Sequence, residues 1–142
     1  MPRPPAFVVA PAIGWPLLPR PDADGRLNWP DLAASVAAQL RVLLATRPGE
    51  LLNHPDFGAG LQEFLHEPDT LATRARIKER IEQAIARFEP RITLDGVEVW
   101  GANQAPGALR DVELGQVRIE VHYRLRRTGQ MQRTGLTLEL GG

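Results

Sequence analysis

At Pro90 the hydrophobic period of this chain changes from that of a helix to that of a strand. Upstream, Ile77, Ile81, Ile85 and Phe88 recur on one helical face, with Ala84 between them. Downstream, Ile92 and Leu94 begin a strand-like alternation that Val97 and Val99 resume after Asp95–Gly96, where a bulge or bend is expected. Proline biases Glu89 away from helical geometry, so the helix stops there and the strand starts at once. A second helical face lies earlier, at Leu32, Val36, Leu40 and Leu43, widened by Ala33, Ala37 and Leu44. Asn28 is placed to cap that helix, and Pro30 and Asp31 suit its first turn. Pro48–Gly49 ends it, near Ala45. Two further strands follow Pro90. "QVRIEVHYRLR" (116–126) sets Val117, Ile119, Val121, Tyr123 and Leu125 against Arg118, Glu120, His122, Arg124 and Arg126. "RTGLTLEL" (133–140) alternates through Leu136, Leu138 and Leu140. Helices followed by strands predict an α+β fold. Its parts are two main helices and a short helical turn over 61–66, packed on a small C-terminal antiparallel sheet of about three strands.

The first 28 residues have little periodicity. Pro16, Pro19 and Pro21 favour extended backbone, and "PDADGR" (21–26) has turn chemistry. Phe7, Val8, Val9, Ile13, Trp15, Leu17 and Leu18 make this stretch too apolar for a solvated tail. The expected organisation is an extended, proline-rich N-terminal arm (1–28) followed by one α+β domain (29–142). Between the helices, residues 46–68 form a connection long enough to need a role or its own packing. Leu51, Leu52, Phe57, Leu61, Phe64 and Leu65 are expected to fold it back onto the helices.

Composition excludes several functions. Seventeen basic residues balance seventeen acidic ones, which leaves no excess for phosphate-driven nucleic-acid binding. The absence of cysteine removes disulfides, thiolate metal sites and cysteine nucleophiles. No apolar run approaches the length of a membrane span, and prolines break up the first residues where a signal peptide would need continuous apolar chain. A cytoplasmic protein without membrane insertion is expected. Glu50, Asp56, Glu63 and Glu67 cluster around the long connection, and a carboxylate pair there could in principle hydrolyse a glycosidic bond. Phe57 and Phe64, the only aromatics nearby, read better as core anchors than as a sugar platform. His54, His66 and His122 lack metal-ligand spacing, and Ser35 lacks nucleophile-elbow glycines. No catalytic, cofactor or metal site is expected. A three-stranded sheet, by contrast, has an edge that another chain can extend.

Four stretches in order carry a resemblance. "LLATRPGELLNHPDFGAGLQEFLHEP" (43–68), "ARIKERIEQAIARFEPRI" (75–92) and "RIEVHYRLR" (118–126), with the Glu-Pro-Arg corner at the helix–strand junction, resemble the baseplate-wedge family of contractile phage tails. That family also supplies sheath-initiating components of type VI secretion baseplates and of extracellular contractile injection particles. The resemblance implies a structural protein, six copies around the tail tube, contacting baseplate wedge proteins and the sheath protein. It implies assembly in the cytoplasm, then residence in a phage tail, secretion baseplate or released particle. It assigns wedge docking to Glu89, Pro90 and Arg91. The sheath-docking strand it implies comprises Thr134, Leu136, Thr137, Leu138, Glu139 and Leu140, through backbone pairing. Pro48, Gly49, Glu50, Pro55, Phe57, Gly58 and Gly60 would shape the loop. The competing expectation is a peptidoglycan-degrading, lysozyme-like tail protein relying on Glu50 and Glu63.

Overall fold

A computed structural model describes residues 20–28, 31–102, 104, 106, 107 and 112–141. The proline-rich arm over 1–19 and Pro30 lie outside the described residues. The chain divides into two compact units, Met1–Gln39 and Leu40–Gly142.

In the first unit, β1 (Arg20–Pro21) pairs antiparallel with β2 (Leu27–Asn28). The turn between them is held by Asp22, whose Oδ1 accepts from the N–H groups of Asp24 and Arg26 at 3.0 and 2.9 Å. Gly25 supplies the positive φ of 76° that the reversal needs. Helix α1 (Leu32–Ala45) follows. Its cap is Asp31 rather than Asn28: Asp31 Oδ1 accepts from Ala34 N–H at 2.7 Å, while Asn28 belongs to β2. The carboxylate three positions closer to the helix reaches the orphan N–H, and the strand takes the asparagine. Ser35, Val36 and Gln39 are buried.

The second unit contains the last turns of α1, a short 3-10 turn (Leu61–Phe64), helix α2 (Leu71–Phe88) and the strands β3 (Ile92–Gly101), β4 (Gln116–Leu125) and β5 (Met131–Glu139). The sheet is antiparallel in the order β3-β4-β5. Thr70 caps α2, its hydroxyl accepting from Thr73 N–H at 3.1 Å. Helix α2 lies against β3 and the 3-10 turn. Ile77, Ile81, Ala84 and Ile85 are buried, as the helical period predicts, and so are Val97, Val117, Ile119, Val121, Tyr123 and Leu125 of the sheet. The expected irregularity at Asp95 is a register shift between Leu94 and Gly96.

The connection 46–60 folds back to satisfy the end of α1. The carbonyls of Leu43, Ala45 and Thr46 accept from Ala59 N–H (2.9 Å), Gln62 Nε2 (2.6 Å) and Gly60 N–H (3.3 Å). These groups would otherwise lack partners at a helix C-terminus. Phe57 is buried with its ring edge-on to Phe88, centroids 5.3 Å apart. One anchor fails: Leu52 is 97% exposed. It sits at the tip of the turn, where Gly49 N–H donating to Pro55 O at 2.6 Å closes the loop behind it. The last strand begins at Met131, two residues earlier than its alternation suggests. It ends at Glu139, so Leu140 lies just past it, buried, with its N–H on Gly115 O at 2.6 Å.

Candidate functional site

Helix α2 ends in the Glu89-Pro90-Arg91 corner. Glu89 has left helical geometry (φ −127°, ψ 80°) but still donates its N–H to Ile85 O at 3.0 Å. Pro90 forbids a further turn and is exposed. The residues on either side meet: Arg91 Nε and Nη2 donate to Glu89 Oε1 and Oε2 at 2.8 and 2.7 Å, and the Arg91 N–H adds a bond to Oε1 at 3.2 Å. This is the forked guanidinium–carboxylate geometry, the strongest common form of ion pair. The two partners are unequally placed, since the Glu89 side chain is 1% exposed and that of Arg91 31%. The hydrogen bonds it donates to Glu89, and the charge of that carboxylate, hold the Arg91 guanidinium above the usual arginine value against the opposing effect of burial. A raised arginine value stabilises the fold throughout the pH range in which arginine stays charged, and that contribution is lost only at strongly alkaline pH. Arg126 closes the corner from the sheet, with its N–H on Arg91 O (3.0 Å) and its Nε on Ile92 O (2.9 Å). The corner is therefore an internal clamp whose arginine side chain stays partly exposed.

The sheet has two different edges. On β3 the ladder is broken at the Leu94/Gly96 bulge, and Asp95 is drawn to Arg124 Nε at 3.0–3.1 Å. Bulges and charges of this kind blunt an edge. Strand β5 keeps register with β4 over all nine of its residues, with neither bulge nor proline. Leu125 N–H donates to Gln130 O at 3.0 Å and Leu140 N–H to Gly115 O at 2.6 Å, so the even-numbered residues bond toward β4. Alternation in an antiparallel ladder then turns the N–H and C=O groups of Met131, Arg133, Gly135, Thr137 and Glu139 toward the open side. The side chains follow the same parity. Thr134 is buried, with its hydroxyl 3.3 Å from Tyr123 OH, and Leu136 and Leu138 are half-buried, whereas Thr137 and Glu139 are exposed. Of the six strand residues singled out from sequence, Leu140 alone lies outside the strand.

The remaining loop residues have definite places. Gly49 (φ 89°) and Pro55 close the 49–55 turn, and Glu50 Oε2 accepts from Arg47 N–H at 2.9 Å. Gly58 (φ 126°) passes so close to Thr46 O that a Cβ would collide with backbone. Gly60 (φ 68°) faces Pro48. Three of the four loop acids pair with arginines along α2: Glu67 with Arg76 at 2.6 Å, Glu63 with Arg80 at 3.0 Å and Asp56 with Arg87 at 2.9 Å. Arg76 and Arg80 also lie over the Phe64 ring. Glu50 lines a shallow depression of about 510 Å³ with Ala45, Arg47, Pro48, Gly49 and Gln62, and Glu63 is not part of it.

Sequence alternation did not reveal one group on the outer face of the sheet. Glu120 is counted there among the solvated residues, yet its side chain is only 8% exposed. It stands between Glu98 on β3 and Gly135 on β5, with His122 Nε2 3.3 Å from Glu98 and 3.8 Å from Glu120, and Arg118 Nη2 3.9 Å from Glu120. The signal available was Gly135, a glycine inside a strand, which marks close approach by another group.

No curated protein matches the chain at a significant level. Solved structures do. A Geobacter sulfurreducens protein provisionally named a tail lysozyme is 24% identical, with 81% of this chain and 96% of that one covered at a TM-score of 0.66. A chain of the anti-feeding prophage baseplate is 31% identical over 75% of this chain and 79% of that one, with a TM-score of 0.62. A chain of a type VI secretion system baseplate complex is 20% identical over 75% and 92%, with a TM-score of 0.51. The family model of baseplate wedge protein gp25 matches residues 30–130, which include both main helices, the Glu-Pro-Arg corner and the first two strands of the large sheet. The chain belongs to the baseplate wedge protein gp25 family.

Proposed function

We propose that this chain is a non-enzymatic subunit of a contractile injection machine that joins the baseplate wedge to the sheath. The Glu89-Pro90-Arg91 corner docks on other wedge proteins, and β5 offers its open edge to the first sheath subunits, which add a strand to it. The observation that carries this reading is the contrast between the sheet edges: β3 is bulged and charged, and β5 is straight over nine residues, its alternate backbone groups without a strand partner among the described residues. Its anti-feeding prophage relative occupies a baseplate of six-fold symmetry, which supports six copies here. Among the described residues no helix is long and apolar enough to cross a membrane. The lytic alternative is poorly served by Glu50 and Glu63. One holds a turn, and the other pairs with an arginine.

The test is co-purification with the sheath protein of the same contractile machine, using Thr137→Pro. The Thr137 N–H points to the open side, so proline there removes an edge donor while sparing the β4 ladder. Thr137→Val is the control, since it loses the hydroxyl and keeps the N–H. Capture by wild type and the valine variant but not the proline variant is the expected result. Equal capture by all three, with folding intact, moves the contact elsewhere.

A further inference from the structure

The open edge of β5 is chemically marked. Its outward side chains are Met131, Arg133, Thr137 and Glu139, and at the centre stands Gly135, which has none. The vacant position is filled from the neighbouring strand. The Arg118 guanidinium lies over Gly135 so closely that a Cβ there would collide with it. Arg118 thus reaches across β5 toward the edge while its side chain is still 30% exposed.

This guanidinium is under-used. Nη1 donates to Thr137 Oγ1 at 3.3 Å, Nε has no hydrogen-bond partner, and the nearest carboxylate, Glu120 Oε1, stands 3.9 Å from Nη2, beyond hydrogen-bond distance. Arg133, two residues from Gly135 on the same side, adds a second positive charge, and Glu139 is the opposing charge at the far end of the strand. A strand added to β5 would hydrogen-bond to Gly135 directly, because the Gly135 backbone groups point to the open side. The side chain opposite Gly135 would then stand about 5 Å from its Cα, on the face where the guanidinium lies. A carboxylate at that position meets unspent donors, an amide meets weaker ones, and an ammonium meets a like charge.

We propose that Arg118, lying over Gly135, makes the β5 edge selective for an extended strand from a partner protein that carries a carboxylate opposite Gly135. This rests on the strand-addition reading above and adds to it what the incoming strand must contain. The first 21 residues of this chain contain no acidic residue, so its own leading segment does not fit.

The test measures binding of three labelled nonapeptides, alternating threonine and valine with Glu, Gln or Lys at the centre, to the full chain by fluorescence anisotropy. Wild type is expected to bind the Glu peptide about tenfold more tightly than the Gln peptide, with the Lys peptide weakest. Arg118→Gln should erase that order, and so should Gly135→Ala, which expels the guanidinium while keeping its charge on the protein. Thr137→Pro should weaken all three peptides alike. An order that survives both Arg118→Gln and Gly135→Ala overturns the proposal. Edge-dependent binding with equal affinities overturns it while sparing strand addition, whereas binding insensitive to Thr137→Pro, or no binding at millimolar peptide, counts against strand addition itself. Sedimentation showing a dimer that Arg118→Gln dissolves would assign the position to Glu139 of a second copy and overturn the partner assignment.

Discussion

Arg91→Ala measures what the Glu89–Arg91 pair contributes as a clamp. The substitution takes the guanidinium from a carboxylate whose side chain is 1% exposed, leaving the main-chain N–H of residue 91 on Oε1. Losing one partner of a buried pair costs about 3–5 kcal/mol, because the remaining charge stays buried without its counter-ion. For a chain of this size the loss lowers Tm by roughly 10 °C. Urea unfolding at pH 7 measures the deficit, and a value under 1 kcal/mol refutes the reasoning. Because the single variant destabilises whatever its role, docking is tested with Glu89→Met combined with Arg91→Met. That exchange removes both charges together and should restore most of the stability. If the folded double variant still joins the wedge proteins, the corner is a clamp and nothing more.

Two further outcomes test the long loop. Gly58→Ala should cost roughly 3 kcal/mol in urea unfolding, from a positive φ combined with a Cβ driven into the Thr46 carbonyl. Leu52→Ser should change stability by less than about 0.5 kcal/mol, because a side chain 97% exposed loses no burial.

Much of the fold was legible because its elements obey simple periods. The stripe Ile77–Ile81–Ile85 could bury only as a helix, Val117 to Leu125 only as a strand, and Pro90 fixed the boundary between them. Asp95–Gly96 announced its bulge through residue type alone. What failed was governed by partners distant in sequence. Leu52 reads as an anchor by hydropathy, but the Gly49–Pro55 closure leaves it at a tip. Asn28 lost the cap to Asp31 because a two-residue strand claims it. Glu120 has the parity of a surface residue and is buried because Arg118, His122 and Glu98 converge on it from three positions. The acid cluster of the loop looked like possible chemistry until α2 supplied an arginine for three of its members. The corner and the last strand were located by pattern, but the inward turn of Glu89 and the parity of the β5 edge needed coordinates.

The corner and the edge are joined by continuous hydrogen-bonded sheet. Arg91 O is bonded to Arg126, at the end of β4, and β4 carries β5 in unbroken register from Arg124 to Gln116. Strands in a sheet lie about 4.8 Å apart, so β5 lies about 10 Å across the hydrogen-bonded ladder from β3, the strand that the corner opens. The one irregularity in the sheet is the bulge between β3 and β4, past the point where the clamp attaches, and none lies between β4 and β5. A clamp that ties α2 to the start of β3 and the end of β4 therefore also fixes the direction in which β5 points. On the proposed function this is what a first template requires. The pair at Glu89 and Arg91 serves by holding one orientation, since a buried ion pair adds little net stability over apolar packing. Loosening the clamp should thus misdirect sheath addition even in a domain that still folds.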